Sequence, residues 1–326
     1  MFVNLSSKLT RTVTRSLVSA NHNRQVHRYV GPTLRELKHR RAKMGPEAEM
    51  PRSSHSDWNY KAEMFAFGKR LSEQFDSAVL QQAFAHRSFI VQEEQKQRDV
   101  GIEKPEVGLK DNSELITLGE RLIEEYVEAF VLTALPKLPT EGIESICGEL
   151  TSQEKLANVS RHLGTKDIIL AAEFPITEQL LVDTLSAVVG ALHKSSGEER
   201  AFLFVRDFIC TQLNQQDVND YWNIDNPLEL LREYCKEKQL GEPEPRSIGL
   251  IGKNTLLAAQ RVAIYCNKQF VGAGYGEDIQ TAIDEAARDC LRQLFGTELN
   301  MKPIDFGLQL TDVARNLRKR ANKQNC

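Results

Sequence analysis

Apolar residues recur at helical spacing through the first two thirds of the chain. Residues 57–71 give an amphipathic start, and a long helix is predicted over about 112–135, ending before Pro136 because proline cannot continue a helix. A further helix is predicted over about 178–194, and its apolar face consists of Leu181, Leu185, Val188 and Leu192. This part of the chain is therefore expected to fold as an all-α domain.

The last third of the chain has a different pattern. A helix is predicted over 228–238, directly after Pro227, a residue that suits the start of a helix. Residues 256–271 alternate in a strand-like way, and Asn267 with Lys268 marks a hairpin turn. An alanine-rich helix follows Gly276. The predicted fold class is therefore multidomain, with an all-α domain followed by an α-β-β-β-α domain.

Polar, proline-rich and glycine-rich stretches give the domain boundaries. We expect the all-α domain over 57–215, a linker over 216–225, the α-β-β-β-α domain over 226–296 and a basic tail over 297–326. Residues 31–56 hold three prolines among many charges and are predicted to be a linker with one short helix around residues 34–43. Residues 92–110 are polar and carry two glycines and a proline, so an inserted surface loop is predicted there.

The net charge of -3 conceals an asymmetry at the N-terminus. Residues 1–35 contain six basic residues and no acid, and they are rich in serine, threonine and small apolar residues. This composition is typical of a mitochondrial transit peptide, which we predict over residues 1–30. The alternative is a basic arm that is retained and touches RNA.

Cysteine spacing and hydropathy argue against a zinc-binding protein and a membrane-spanning protein. The six cysteines lie far apart without a Cys-x-x-Cys pair, so no zinc site is expected and free thiols in a reducing compartment such as the matrix are favoured. No apolar run approaches the roughly 18 residues that a membrane span needs. We expect no cofactor.

Three motifs resemble those of ribonuclease III. Residues 112–120 read Asn-Ser-Glu-Leu-Ile-Thr-Leu-Gly-Glu, against the family's signature Asn-Glu-Arg-Leu-Glu-Phe-Leu-Gly-Asp. Residues 80–89 are similar to the family's Leu-x-x-Ala-Leu-Thr-His-Arg-Ser-Tyr, and residues 182–191 are similar to Ala-Asp-x-x-Glu-Ala-x-x-Gly-Ala. The resemblance implies a helical domain that, in the family, cleaves double-stranded RNA.

That chemistry needs four carboxylates around Mg²⁺, one pair on each of two helices, to activate water and stabilise the leaving oxygen. The resemblance assigns these four positions to Ile116, Glu120, Asp183 and Ser186. Each helix therefore keeps one acid and loses the other. We expect a degenerate site without independent catalysis, in which Glu120 and Asp183 retain at most weak Mg²⁺ binding.

The second domain resembles a double-stranded RNA-binding domain that has lost its phosphate grip. The family's adjacent lysines at the start of the last helix correspond to Ile279 and Gln280. Residues 225–298 carry nine basic and twelve acidic residues, so poor binding to free duplex is expected. The candidate RNA-binding residues are Glu233, Arg246, Lys253, Arg318, Lys319 and Arg320.

Together these features resemble the ribonuclease III-like proteins of the mitochondrial large ribosomal subunit. The resemblance implies a structural role in the matrix, with large-subunit rRNA and other large-subunit proteins as partners, in support of assembly and translation. It also implies a dimer-like contact through the first domain, made with a second copy or with a different protein. The alternatives are an RNA-processing endoribonuclease, acting alone or beside a catalytic partner, and a free double-stranded RNA-binding protein.

Overall fold

The computed structural model describes residues 30–45, 50–102, 108–253, 255, 258–298 and 300–314. A helix, α1, covers residues 30–44 and includes the short helix predicted around residues 34–43. It belongs to one compact unit, and the chain from Pro51 onward belongs to another. Apart from residue 30, the predicted transit peptide lies outside the described residues.

The chain from Tyr60 to Phe208 forms eight α-helices, which we call the helical domain. They are α2 (Tyr60–Leu71), α3 (Ser77–Phe84), α4 (Arg87–Asp99), α5 (Ser113–Ala134), α6 (Thr140–Leu150), α7 (Gln153–Leu163), α8 (Glu178–Ser196) and α9 (Glu198–Phe208). Both long helices that the apolar spacing predicts are confirmed, as α5 and α8. They pack against each other through the centre of the domain, and Leu115, Phe130, Leu185 and Leu192 are fully buried between the surrounding helices.

The expectation of a surface loop over residues 92–110 is wrong for its first part. The helix α4 begins after His86, whose Nδ1 accepts a hydrogen bond from the amide of Ser88 at 3.2 Å, and it continues to Asp99. Its second half is polar but rich in glutamate, glutamine, lysine and arginine, which are good helix formers. Polarity alone therefore misidentified an exposed helix as a loop.

The sheet domain consists of α10 (Pro227–Glu237), β1 (Pro243–Ile251), β2 (Ala259–Cys266), β3 (Gln269–Gly276) and α11 (Ile279–Phe295). The strands form one antiparallel sheet in the order β1-β2-β3, which confirms the predicted α-β-β-β-α order. Asn267 and Lys268 have positive φ angles of 51° and 67°. These angles suit the two-residue hairpin turns whose twist matches that of the strands, so the predicted turn is confirmed.

The alanine-rich face of α11 lies directly against β3. A Cβ atom on Gly274 would lie 2.2 Å from the amide nitrogen of Ala286, and one on Gly276 would lie 2.5 Å from that of Ala282. Ala282, Ala286 and Ala287 are all fully buried. Small residues on both elements therefore allow the strand and helix backbones to approach closely.

The segments on either side of the sheet domain connect it to the helical domain. Asn219, before α10, exchanges two hydrogen bonds of 2.9 Å with Thr297, which follows α11. The predicted tail then returns to the helical domain, where the ring of Phe306 stacks on Phe130 at 5.7 Å. Val313 is buried in the same core. Residues 315–326 lie outside the described residues.

The cysteines of the described chain are free thiols, as their spacing predicts. Burial raises the pKa of Cys147 to about 11 and that of Cys290 to about 12. Cys235 and Cys266 face each other in the core of the sheet domain with their Sγ atoms 3.8 Å apart. Within the described ranges, no helix is both long and apolar enough to cross a membrane.

Candidate functional site

The first residue of the signature motif anchors α5 in the helical domain. Asn112 is buried, its amide donates to the carbonyl oxygen of Ala85 at 3.2 Å, and its Nδ2 donates to that of Ala83 at 3.2 Å. Gln82 adds a hydrogen bond of 2.8 Å to the carbonyl oxygen of Asp111. These bonds hold the start of α5 against the end of α3, so the motif retains a structural role apart from its chemistry.

Two glycines, one on each helix, allow α5 and α8 to cross in close contact. A Cβ atom on Gly119 would lie 1.8 Å from the carbonyl oxygen of Ser186, and one on Gly190 would lie 2.5 Å from that of Leu115. Real Cβ atoms do not approach backbone oxygen so closely, so only glycine fits at either point. This close crossing positions the four motif side chains.

The four positions that the resemblance assigns to metal-binding carboxylates lie at this crossing. Two of them, Glu120 and Asp183, are acids. Ile116 packs against the edge of the core, and Ser186 is buried with an Oγ that has no hydrogen-bond partner among the described residues. Asp183 accepts a hydrogen bond of 2.7 Å from Gln179. Partial burial raises the pKa of Glu120, and the nearby carboxylates of Asp183 and Glu124 raise it further.

This set of side chains does not fit the two-metal centre of a ribonuclease III. Ile116 contributes an apolar side chain where the motif requires a carboxylate, and the Ser186 hydroxyl is a much weaker ligand than the carboxylate of glutamate. Over the part of the chain that the structure describes, no group of three or more histidine, cysteine, aspartate or glutamate residues could hold a metal ion. The crossing is therefore closely packed, but only two of its four ligand positions are carboxylates.

Of the predicted RNA-binding residues, the structure describes Glu233, Arg246 and Lys253, which lie on different elements of the sheet domain. Glu233 is exposed on α10, and Lys253 is exposed beyond the end of β1. Arg246 lies on β1, where its Nη2 is 2.7 Å from Glu244. Arg318, Lys319 and Arg320 lie outside the described residues.

At the start of α11, the two positions that the resemblance assigns to lysines face away from the core. Ile279 is 54% exposed, and Gln280 donates a hydrogen bond of 3.1 Å to Asp284. An exposed isoleucine and an amide engaged by a carboxylate cannot neutralise phosphates as two ammonium groups would. Neither side chain carries the positive charge that a phosphate contact needs.

Sequence reasoning missed the aromatic residues on the outer face of the sheet. Tyr265, Phe270 and Tyr275 lie there, and Phe270 and Tyr275 are more than half exposed. The period-2 alternation of a strand could have placed Tyr265 on the outer face of β2, but only the register of the sheet brings Phe270 beside it.

Comparisons with known proteins assign a family to each of the two domains. The family model described as large ribosomal subunit protein mL44, endonuclease domain, matches residues 59–192, and the model described as MRPL44 dsRNA-binding domain matches residues 222–325. The chain therefore belongs to the class of proteins that join a ribonuclease III-like domain to a double-stranded RNA-binding domain.

Individual relatives identify the family within this class. The large ribosomal subunit protein mL44 of Caenorhabditis elegans is 31% identical over 93% of this chain and 78% of its own length. Ribonuclease 3 of Thiobacillus denitrificans is 24% identical over 67% of this chain and 90% of its own. The nuclease domain of ribonuclease III from Campylobacter jejuni is 21% identical, with a TM-score of 0.38, over 46% of this chain and 96% of that domain. The chain belongs to the mL44 family of large ribosomal subunit proteins.

Proposed function

We propose that this protein is a structural component of the large subunit of the mitochondrial ribosome, built on a ribonuclease III scaffold that no longer catalyses. It binds large-subunit rRNA and neighbouring large-subunit proteins and supports assembly and translation. The observation that carries the proposal is the α5–α8 crossing, which keeps the close glycine contacts of a folded scaffold while two of its four ligand positions are Ile116 and Ser186.

The magnitude of the chemical loss supports a non-catalytic role. Removing one preorganised group that stabilises charge in a transition state costs about 10²–10³ in rate. Two carboxylates are absent here, and one is replaced by the apolar Ile116. Under this proposal, the remaining acids, Glu120 and Asp183, are polar residues of the helix surface without a catalytic role.

The proposed RNA contact differs from the grip of a free duplex-binding domain. The sheet domain is net acidic and lacks the lysine pair, so its affinity for RNA must come from matching a shaped rRNA surface and from protein neighbours. The basic residues proposed to touch rRNA are Arg246, Lys253, Arg318, Lys319 and Arg320, and Glu233 is the candidate for a minor-groove contact.

The compartment and the pairing surface are part of the same proposal. The acid-free residues 1–35 support import into the mitochondrial matrix, with residues 1–30 as the transit peptide. The helical domain supplies a dimer-like contact through the surface around α5, which a second copy or another ribosomal protein covers.

A cleavage assay tests the proposal against its enzymatic alternative. Purified protein is incubated with labelled duplex RNA and Mg²⁺ or Mn²⁺, and we expect no specific cleavage. Glu120→Ala and Asp183→Ala serve as site variants, and Glu125→Ala, which changes another exposed acid of α5, serves as the control. Cleavage that either site variant abolishes and the control retains would overturn the non-catalytic role.

A second assay addresses the alternative of a free duplex-binding protein. Binding of short RNA duplexes is measured over a range of salt concentrations, and we expect weak binding with a shallow salt dependence because few phosphates are neutralised. Tight binding with a steep salt slope would favour the free duplex-binding protein instead.

A further inference from the structure

The alternation of the strands divides the sheet into a buried face and an outer face. Val262, Ile264 and Cys266 of β2 are buried against the helices. Arg261, Ala263 and Tyr265 lie at the intervening positions and therefore on the opposite face, and Ala263 is the fully buried one of the three. The sheet thus presents to solvent a surface that differs in chemistry from its core face.

That outer face carries three aromatic rings and two arginines, which make two sets of contacts. The rings of Tyr265 and Phe270 meet edge to face at 6.0 Å, and the guanidinium of Arg246 lies 5.3 Å from the centre of Tyr265. The guanidinium of Arg261 lies 5.5 Å from the centre of Tyr275. We call these five residues the aromatic face. Phe270 is 57% exposed and Tyr275 is 52% exposed, so ring surface remains open after these contacts.

The charges of the sheet domain favour this face over the helices as a contact for a polyanion. Each of α10 and α11 has three acidic and two basic residues, whereas the three strands have two arginines and one acid, Glu244. Glu244 pairs with Arg246 at 2.7 Å. Arg261 has a buried Nε without a hydrogen-bond partner among the described residues. The strands therefore have a net charge of +1, and both arginines lie beside aromatic rings.

We infer that the aromatic face binds unpaired bases of single-stranded RNA. Open aromatic rings on a sheet allow bases to stack, and adjacent guanidinium groups stack on bases or neutralise phosphates. An entirely apolar face would instead suit a protein partner. This inference deepens the proposed function, because it names the kind of RNA and the surface that binds it, and it rests on RNA being the ligand.

The test measures binding of the full chain to a labelled single-stranded oligouridylate and to a duplex of the same length, by fluorescence anisotropy. We expect the wild type to prefer the single strand. Phe270→Ala and Tyr275→Ala should each raise Kd for the single strand about tenfold, which is the scale of one lost base stack. Tyr275→Phe should retain wild-type affinity, since the ring remains.

A matched control separates this face from exposed aromatic residues in general. Phe65 on α2 is 67% exposed, and the Nζ of Lys69 lies 5.6 Å from its ring, so it is an exposed phenylalanine beside a cation in the other domain. Phe65→Ala should leave Kd unchanged. Thermal unfolding of each variant checks that the fold is retained, which the exposure of these rings favours.

Three outcomes would overturn the inference. They are no binding of the single strand, equal loss of affinity in Phe65→Ala, and variants that keep RNA affinity while losing association with isolated large subunits. The last outcome would assign the face to a protein partner. If the variants bind oligouridylate as tightly as the wild type does, while the wild type still joins the large subunit, the inference fails and the proposed function stands. If the wild type never joins the subunit but binds oligouridylate through these rings, the inference stands and the proposed function fails.

Discussion

The two domains of this chain both use glycine to bring backbones into contact, but they differ in what remains beside that contact. In the helical domain, Gly119 lies against the carbonyl oxygen of Ser186, and two carboxylates, Glu120 and Asp183, remain near the crossing. In the sheet domain, Gly274 lies against the backbone of α11, and Ile279 and Gln280 hold the two positions that the resemblance assigns to lysines. In both domains the backbone contacts are close, whereas only some of the charged residues that the resemblance assigns are present.

The physical reason lies in what each kind of residue contributes to folding. A glycine at a backbone contact cannot be replaced without moving two elements, so its loss affects the free energy of unfolding of the whole domain. An exposed ligand or phosphate-binding residue contributes little to stability, and removing it costs only function. A fold therefore tolerates substitutions of exposed charged residues better than substitutions at its backbone contacts.

The largest expected effect comes from closing the space at the α5–α8 crossing. Gly119→Ala would bring Cβ to 1.8 Å from the carbonyl oxygen of Ser186, and neither helix backbone can move away without disturbing the core. We expect a loss of about 3 kcal/mol or more in the free energy of unfolding, measured by denaturant titration. Gly148→Ala is the control, since Gly148 lies within α6 with open space around it and should be neutral or slightly stabilising. A neutral Gly119→Ala would contradict the described crossing.

A smaller effect is expected at the equivalent contact of the sheet domain. Gly274→Ala would bring Cβ to 2.2 Å from the amide nitrogen of Ala286, a less severe overlap than the 1.8 Å at Gly119. We expect a loss of about 2 kcal/mol in the free energy of unfolding. Gly249→Ala, in the same sheet with open space around the site, should differ from wild type by less than about 1 kcal/mol. Equal effects of the two variants would show that β3 and α11 are not in close contact.

The smallest effect concerns the acids that remain at the crossing. Folding raises the pKa of Glu120, so the folded state binds its proton more tightly than the unfolded state does. The resulting destabilisation is absent below the pKa that Glu120 has in the unfolded state and complete above its pKa in the folded state. The free energy of unfolding therefore falls as pH rises between these two values. Because Glu120 is exposed, we expect Glu120→Gln to stabilise by only a few tenths of a kcal/mol at pH 7 and not at pH 4.

Glu125→Gln is the matched control for this pH dependence, because Glu125 lies on the same helix and pairs with Arg121 at 3.7 Å. Its replacement should give no gain in stability at pH 7. Denaturant titrations of both variants at pH 4 and pH 7 make the comparison. A gain for Glu120→Gln that is larger at pH 4 than at pH 7 would contradict the sign.

The sequence predicted those features that depend on local patterns. The helices α5 and α8 follow from apolar spacing, and the hairpin turn follows from Asn267 with Lys268, since asparagine adopts positive φ more readily than most residues. The meeting of Glu120 and Asp183 followed from motif resemblance, because the two residues lie 63 positions apart on different helices. The polar end of α4 was missed because exposed helices and loops share a composition.

Long-range packing was beyond such patterns. The contact of Phe306 with Phe130 joins the chain beyond the sheet domain to the central helix of the other domain, and no periodicity in the sequence signals it. The aromatic face was missed for a related reason, since residues on three strands become neighbours only when the register is known. Patterns within one element were readable, whereas surfaces built from several elements were not.

The most direct test of the ribosomal role is sedimentation of a mitochondrial lysate, in Mg²⁺ and in EDTA, at low and at high salt. The account predicts that the protein migrates with the large subunit and remains with it after the subunits separate and after the salt is raised. Migration as a free monomer or dimer under all of these conditions would contradict a role as a component of the large subunit.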